Sequence, residues 1–427
     1  MTPLLRRPLV GLPLLIALGG CSNAEKAGTN AGVIDGLMVI STDSAYQGSV
    51  VNLVDLATKR VPGSPCLISA MSGDNLSFSI SGDLALPSQP FPGSQALIID
   101  RTYGTLTWLD PAHCEVTSQY QVAWREASVD PKNAAQKLAY KANPHDAAIS
   151  AKAQLYVSRY FTNPAPTADP SDLDEGGDLY IMDYQNMRQA RRIDLAPYAI
   201  PTAEGLPTDP MPDRMIILDN QLYVSLNNLT RDFKAAGPGR IVVVDLATDT
   251  VAGTIDLPSL KNCGTLRVAP GTTKAIAVAC NGYYRDMDQM AASGIAWIDL
   301  STTVPTVTVV PAALFGAPVS GSDLAIADPA HAFTLVAGKF DGSRPDILWA
   351  FDFAGSAPRQ VYAGSGAYTL AGVQYHAPST TLFLGDANTT LPGILPFDLT
   401  NIDAPVLGPL IDNDPDYHLY PRALAFF

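Results

Sequence analysis

Residues 241–257 read IVVVDLATDTVAGTIDL, an apolar run that ends in Asp245 and is followed by a polar turn and a second strand-like run. A short apolar run closed by an aspartate occurs seven times along the 427 residues, at intervals of 46 to 73 residues. Repetition on this scale is typical of solenoids, propellers and arrays. The seven aspartates are Asp55, Asp110, Asp183, Asp245, Asp299, Asp352 and Asp398.

Each aspartate-terminated run is preceded by another run rich in Val, Ile, Leu or Tyr, such as LYVS at 222–225. Turn residues bound these runs, as expected of β-strands. A further strand precedes several of them, such as RMIIL at 214–218, and another follows the aspartate. Each repeat therefore predicts four antiparallel strands, the content of a propeller blade. The sequence predicts an all-β fold, a seven-bladed β-propeller in one domain over residues 33–427.

The two ends of this domain predict how the ring closes. The first repeat begins at LMVIS (37–41) without a leading strand, whereas RALAFF (422–427) reads as a strand without a repeat of its own. Neighbouring blades bury each other's faces, so the ring must close. We predict that RALAFF is the innermost strand of the first blade and pairs with the N-terminal strand.

The repeated aspartates invite two interpretations. They could form a row of functional carboxylates, or each side chain could accept hydrogen bonds from backbone N–H groups in the turn that follows it. Their position at a strand end, just before small polar residues, favours the turn interpretation.

The N-terminus predicts export. Arg6 and Arg7 precede an apolar stretch and then LGGC (18–21), the order of a secretory signal peptide over residues 1–20. LGGC resembles the lipobox of bacterial lipoproteins, and this resemblance implies a lipid on Cys21 and anchoring to a membrane. The alternative is an ordinary cleaved signal with an incidental cysteine. The resemblance, with Ser22 after the cysteine, implies the outer membrane, facing either the periplasm or the cell surface.

Residues 22–32 are small and polar without periodicity, which predicts a flexible tether over 21–32.

The chain holds 27 basic and 41 acidic residues, a net charge of −14. Residues 1–20 contain two arginines and no acids, so the rest of the chain has 25 basic and 41 acidic residues and a net charge of −16. Such a surface repels phosphate backbones, and nucleic acid is not expected as a partner.

Four cysteines remain beside Cys21, and disulfides persist in exported proteins. Cys263 and Cys280 flank a predicted hairpin that turns at Gly271, which would place them directly opposite each other, close enough for a bridge. Cys66 and Cys114 would then pair by elimination. The alternative for the first pair is two buried free thiols.

Residues 221–258 resemble the YVTN-type β-propeller repeat. The resemblance is carried by Tyr223, Val224, Ser225 and Asn227 and by the run IVVVDLATDTV. It implies the propeller fold. The family includes binding proteins, surface antigens and enzymes, so the resemblance implies no particular substrate.

Long insertions are predicted to join second and third strands at 159–177, 226–239, 280–293 and 338–346, and to join neighbouring blades at 125–147 and 196–213. Both kinds of connection leave the same face of the disc, so one elaborated face is predicted. In four consecutive blades an aromatic residue stands there beside a basic one. This pattern predicts a cationic rim that could stack on an envelope protein, a glycan or a small anion. The alternative is that these bases pair with nearby acids. The predicted rim residues are Arg159, Tyr160, Arg231, Lys234, Tyr283, Tyr284, Arg285, Lys339 and Arg344.

The segment DPSDLDEGGD (169–178) concentrates carboxylates, which are the ligands that calcium prefers. It lacks the spacing of an EF-hand, and a solvated acidic loop is the alternative. The candidate calcium ligands are Asp169, Asp172, Asp174, Glu175 and Asp178.

No catalytic motif is recognisable in the sequence, and the five histidines are scattered. His145 and His376 lie beside predicted innermost strands, where they could face a central channel. We predict a non-enzymatic binding module, without a required cofactor, that uses the long-loop face. The alternative is a hydrolase or lactonase-like propeller enzyme, calcium-dependent in one version.

Overall fold

The computed structural model describes residues 35–63, 65–69, 76–91, 95–122, 142–271, 274–283, 289–356, 358–388 and 390–427. The predicted signal peptide, Cys21 and the tether lie outside the described residues, as do Tyr284 and Arg285. Within the described part, no helix is both long and apolar enough to cross a bilayer.

Seven four-stranded antiparallel sheets form the seven blades of a β-propeller, as the repeat predicted. From the innermost strand outward, blade 1 has β28 (Tyr420–Phe426), β1 (Gly36–Thr42), β2 (Ser49–Asp55) and β3 (Leu67–Ile68). Blade 2 has β4 (Leu84–Ala85), β5 (Ala96–Asp100), β6 (Thr105–Asp110) and β7 (Glu115–Gln121). Blade 3 has β8 (Pro144–Ile149), β9 (Gln154–Thr162), β10 (Gly176–Asp183) and β11 (Arg188–Asp194).

The remaining blades follow the same order. Blade 4 has β12 (Pro212–Leu218), β13 (Gln221–Leu226), β14 (Pro238–Asp245) and β15 (Thr250–Lys261). Blade 5 has β16 (Cys263–Val268), β17 (Ala275–Asn281), β18 (Ser293–Asp299) and β19 (Thr306–Pro311). Blade 6 has β20 (Val319–Asp328), β21 (His331–Val336), β22 (Ile347–Phe351) and β23 (Arg359–Ala363). Blade 7 has β24 (Leu370–His376), β25 (Thr381–Asp386), β26 (Gly393–Asp398) and β27 (Val406–Leu407). Short 3₁₀ turns span Pro170–Asp172, Ala196–Tyr198 and Ala312–Phe315.

The ring closes as predicted, because the C-terminal strand β28 pairs antiparallel with β1. Leu37 lies opposite Phe426, and Val39 lies opposite Leu424. Side chains of β28 alternate between two interfaces, since Leu424 packs in the core shared with blade 7 whereas Ala425 packs in the core shared with blade 2. The last strand therefore joins three blades.

The repeated aspartates are turn residues, which confirms that interpretation. Each of the seven accepts a backbone N–H from the turn that follows its strand, at 2.6 to 3.0 Å. Six of them are the last residue of the third strand of a blade, and Asp352 directly follows β22, the third strand of blade 6. Their carboxylates stabilise the outer turns and are not gathered into one site.

The serines of the two LYVS segments connect neighbouring blades. Ser158 donates its hydroxyl hydrogen to the carbonyl of Asp213 in the next blade, at 2.8 Å. Ser225 donates in the same way to the carbonyl of Gly264, at 2.8 Å. Both serines are fully buried, so these bonds satisfy carbonyl groups that water cannot reach.

Both predicted disulfides are present. Cys263 and Cys280 are direct cross-strand partners on β16 and β17, as their spacing predicted. Cys66 and Cys114, paired by elimination, join the outer part of blade 1 to the turn between β6 and β7 of blade 2. The second bridge therefore fixes two blades to each other.

A loop of blade 2 crosses the innermost strands of blades 3 and 4. Gln89 donates to the carbonyl of Ile217 at 3.2 Å and accepts the N–H of Ile217 at 2.7 Å. Ser88 donates its N–H to Asp146 at 2.9 Å. Because β12 is an innermost strand, its inner edge lacks a strand partner, and the amide of Gln89 satisfies one residue of that edge.

Candidate functional site

The long-loop face is the end of the disc from which second-to-third-strand connections and blade-to-blade connections both leave. The insertion of blade 3 is shorter than predicted, because β9 continues to Thr162 and the connection spans 163–175. The insertions of blades 4 and 6 span 227–237 and 337–346. The extra length of β9 changes the environment of two predicted rim residues.

Arg159 lies inside blade 3, and the structure corrects its predicted place in an exposed loop. Its side chain is 1% exposed. Its Nε and Nη2 donate to the two carboxylate oxygens of Asp178 at 2.7 and 2.6 Å, and its guanidinium lies 4.8 Å from the ring centre of Tyr180. Asp178 also accepts from Nε of Arg192 at 2.8 Å. This ion pair holds β9 to β10 and is not available to a ligand.

The aromatic residues of blades 3 to 5 pack against one another. Tyr160 and Tyr283 are buried in a small cluster with Phe161 and Phe233 at its edge. Tyr160 meets Phe161 edge-on, Phe161 meets Phe233 in the same way, and the hydroxyl of Tyr283 donates to the carbonyl of Phe233. These rings form a core beneath the loops, because burying apolar rings is more favourable than exposing them.

The basic residues of blade 4 are paired, as the alternative interpretation expected. Arg231 forms a two-pronged ion pair with Asp209, and Lys234 lies 3.0 Å from Asp232. In blade 6, Arg344 donates to the carbonyl of Ala337 at 2.8 Å, while Lys339 is exposed. The predicted rim thus divides into a packed part on blades 3 to 5 and an open part on blade 6.

The carboxylates of the acidic segment 169–178 bond either to groups of their own loop or to arginines in the strands of blade 3. Asp174 accepts from Asn163 and from the N–H of Thr167, and Asp172 accepts the hydroxyl of Thr167. Asp169 caps the 3₁₀ turn through Ser171, and Glu175 lies 3.3 Å from Arg192. Among the residues that the structure describes, no three His, Cys, Asp or Glu side chains come together as a metal site.

Blades 6, 7 and 1 expose a group of rings around one arginine on the same face. We call it the aromatic–arginine patch, and it consists of Tyr46, Phe340, Tyr368, Tyr420 and Arg422. Phe340 is 88% exposed and stacks on Tyr368, which is 48% exposed, with ring centres 4.3 Å apart. The guanidinium of Arg422 lies 5.8 Å from the ring centre of Tyr46 and 5.9 Å from that of Tyr420.

Arg422 connects the two halves of this patch. Its Nη1 donates to the carbonyl of Tyr368 at 3.1 Å. Within the described residues no carboxylate pairs with Arg422, although the chain carries a net charge of −14. Little in the sequence pointed to this patch, because Tyr46, Tyr368 and Arg422 lie in short connections or in a strand rather than in a long insertion.

An imidazole–carboxylate pair lies at the starts of two innermost strands, at the end of the disc that carries the long loops. His145, in β8, lies with Nδ1 2.8 Å from a carboxylate oxygen of Asp213 in β12, and its ring stacks on Tyr160 at 4.0 Å. Burial lowers the pKa of His145, which favours the neutral ring. Because a carboxylate only accepts, Nδ1 carries the proton and Nε2 is left as an acceptor. His376, by contrast, contacts Ser379 and Phe426.

The His145–Asp213 pair is the described feature most compatible with the hydrolase alternative, since an oriented neutral imidazole can accept a proton from water.

Comparisons with known proteins identify the fold. No family model and no curated protein matches the chain. A crystal structure of a protein described as selenium-binding, from Sulfolobus tokodaii, is similar with a TM-score of 0.56 and 11% identity over 92% of this chain and 94% of that one. A protein assigned as a 6-phosphogluconolactonase, from Bacteroides uniformis, gives 0.53 and 10% over 92% and 100%. Hydrazine synthase of Kuenenia stuttgartiensis gives 0.52 and 11% over 88% and 97%.

These similarities show a shared β-propeller and no more, because identities near 10% establish fold alone. The names of the three proteins refer to different chemistries. The function of this chain therefore has to be argued from its own residues.

Proposed function

We propose that the chain is a lipid-anchored cell-envelope β-propeller, a divergent relative of the YVTN-type repeat proteins, that binds a protein partner through the aromatic–arginine patch. The observation that carries the proposal is the exposed stack of Phe340 on Tyr368 beside Arg422. Isolated exposed rings are ordinary, but rings grouped around an arginine have the composition of protein-interface hot spots.

The patch also indicates what its partner presents. Phe340 and Tyr368 offer ring surface for apolar side chains, and Arg422 lacks a carboxylate partner within the described residues. A surface of apolar side chains around one carboxylate would complement both features. A strongly acidic partner would be repelled by the protein's net negative charge.

Photo-cross-linking tests the partner. With p-benzoylphenylalanine at position 340 of the full chain, we expect a protein adduct in the envelope that is lost in Arg422→Glu and reduced in Tyr368→Ala. Truncation of a hot-spot residue costs about 2 kcal/mol or more, which is about a 30-fold loss of affinity. Because Tyr368 is 48% exposed, Tyr368→Ala should melt within a few degrees of wild type. Arg422 is half-buried in β28, so thermal melting checks that Arg422→Glu is folded before its adduct is compared.

Position 103 provides a matched control for this experiment. Tyr103 is 47% exposed in the turn between β5 and β6 of blade 2, on the same face but outside the patch. The probe at 103 should give no such adduct. Equal adducts at 340 and 103, or an adduct at 340 that is indifferent to Arg422→Glu, would contradict the proposed site.

The lipid anchor is tested separately. Cells that express the full chain should incorporate labelled palmitate into it, and Cys21→Ser should abolish the label because the thioether sulfur is missing. Ser22→Ala is the matched control and should retain the label. Labelling of Cys21→Ser would show that Cys21 does not carry the lipid, without bearing on the patch.

A further inference from the structure

Arg267 lies on β16, the innermost strand of blade 5, and is half-buried. Its Nε donates to the carbonyl of Leu324 in blade 6 at 2.9 Å, and its Nη1 donates to the carbonyl of Leu266 at 3.0 Å. A guanidinium has five N–H donors, so these two bonds leave three without a partner among the described residues. Among the residues that the structure describes, no carboxylate oxygen lies within 4.0 Å of a guanidinium nitrogen of Arg267.

The two aspartates whose charges act on Arg267, Asp146 and Asp323, are already bonded elsewhere. Both oxygens of Asp146 accept backbone N–H groups, one of them from blade 4. Asp323 accepts N–H groups of blade 7 at one oxygen and two serine hydroxyls at the other. These bonds hold both carboxylates in place, so neither is free to rotate into an ion pair with Arg267. The donors are Ser88, Ala147 and Met215 for Asp146, and Gly372, Val373, Ser320 and Ser322 for Asp323.

A second guanidinium lies on the adjacent innermost strand. Arg214, in β12, donates through Nη1 to the carbonyls of Leu86 and His145 at 2.9 and 3.0 Å, and its nearest carboxylate, Asp213, is 3.6 Å away. Burial, and after it the charge of Arg214, lower the pKa of Arg267 to about 10, so Arg267 remains charged at neutral pH. An anion between these strands would be attracted by both cations.

We propose that Arg267 anchors a binding site in the central channel for a small oxyanion such as phosphate or sulfate, and that Arg214 adds electrostatic attraction. The planar N–H pairs of a guanidinium match two oxygens of such an anion. The walls supplied by blades 4, 5 and 6 exclude much of the solvent, which strengthens each charged hydrogen bond. This site is separate from the aromatic–arginine patch, and neither proposal depends on the other.

Isothermal titration of the full chain in mild detergent tests the site, with sodium phosphate or sodium sulfate as the probe and sodium chloride holding the ionic strength constant. We expect saturable binding in the millimolar range or tighter. Arg267→Met should weaken it by about 10-fold or more, because a charged hydrogen bond contributes about 1.5–3 kcal/mol. Arg214→Met should weaken it less, since Arg214 acts at longer range.

Arg240→Met is the matched control, because Arg240 pairs with Asp256 on β14 and β15, away from the channel strands. It should bind as wild type does. If Arg267→Met does not fold, Arg267→Lys keeps the charge without the planar N–H pair and should still weaken binding. The proposal would be overturned if the wild type shows no saturable binding at about 20 mM probe, or if a folded Arg267 variant binds with equal affinity. In either case the remaining N–H donors of Arg267 would be satisfied by water.

Discussion

Deletion of residues 420–427 is expected to turn a folded monomer into an aggregating chain. The deletion removes β28, the innermost strand of blade 1, and leaves the edge of β1 without its hydrogen-bonding partner. It also removes Leu424 from the core shared with blade 7 and Ala425 from the core shared with blade 2. Each large apolar side chain contributes about 1.5–3 kcal/mol, so we expect a loss of more than about 5 kcal/mol once the broken strand pairing is included.

Size-exclusion chromatography with light scattering, together with thermal melting, measures this outcome. A double change in the outermost strand of blade 7, Val406→Ser with Leu407→Ser, is the matched control, because both side chains are exposed and that strand does not close the ring. The control should remain monomeric. A synthetic peptide of residues 418–427, added to the truncated chain, should restore part of the folded monomer. A truncated chain that melts and elutes like wild type would show that β28 is dispensable for closure.

Asp178→Ala is expected to lower the free energy of unfolding by about 3–5 kcal/mol, the usual cost of removing one partner of a buried ion pair. Arg159 would be left 1% exposed without its carboxylate, and Arg192 would lose a bond of 2.8 Å beside it. Two like charges would then face each other within one blade. Urea unfolding of the wild type and the variant measures the difference.

Asp256→Ala is the control for this change, since it breaks the Arg240–Asp256 pair, in which Asp256 is about half exposed. It should cost less than about 1 kcal/mol. Replacing both buried charges, with Arg159→Met and Asp178→Leu, should recover much of the lost stability because the buried guanidinium is removed together with the carboxylate that balances its charge. Equal losses in Asp178→Ala and Asp256→Ala would show that burial of the pair contributes nothing.

The architecture was predictable because its signals are local. An aspartate at a strand end and the turn after it are encoded within a few residues, so Asp245 and its six counterparts marked the third strand of every blade. Ring closure followed from one missing and one surplus strand at the two ends of the chain. The Cys263–Cys280 bridge followed from a hairpin, because residues equally distant from a turn become cross-strand partners.

The candidate sites were less predictable because they depend on which side chains meet. Arg159 looks like an exposed loop residue until β10 places Asp178 opposite it, 19 residues further along the chain. Tyr46 and Arg422 lie near opposite ends of the folded chain in sequence and meet only because the ring closes. Arg267 stands in an ordinary strand pattern, and its surplus of N–H donors becomes visible only when its neighbours' hydrogen bonds are known.

The Cys66–Cys114 bridge has a consequence for the order in which the ring comes apart. Blades 1 and 2 are joined covalently, whereas blade 1 meets blade 7 through packing, and β28, which follows blade 7 in the chain, is held in blade 1 by its hydrogen bonds to β1. Local opening begins where the fewest constraints act, and chain termini fray first. The first subglobal opening should therefore be the detachment of β28 at the seam between blades 7 and 1, with blades 1 and 2 staying together. Amide protons of β1 would then exchange with solvent before those of β5 and β6.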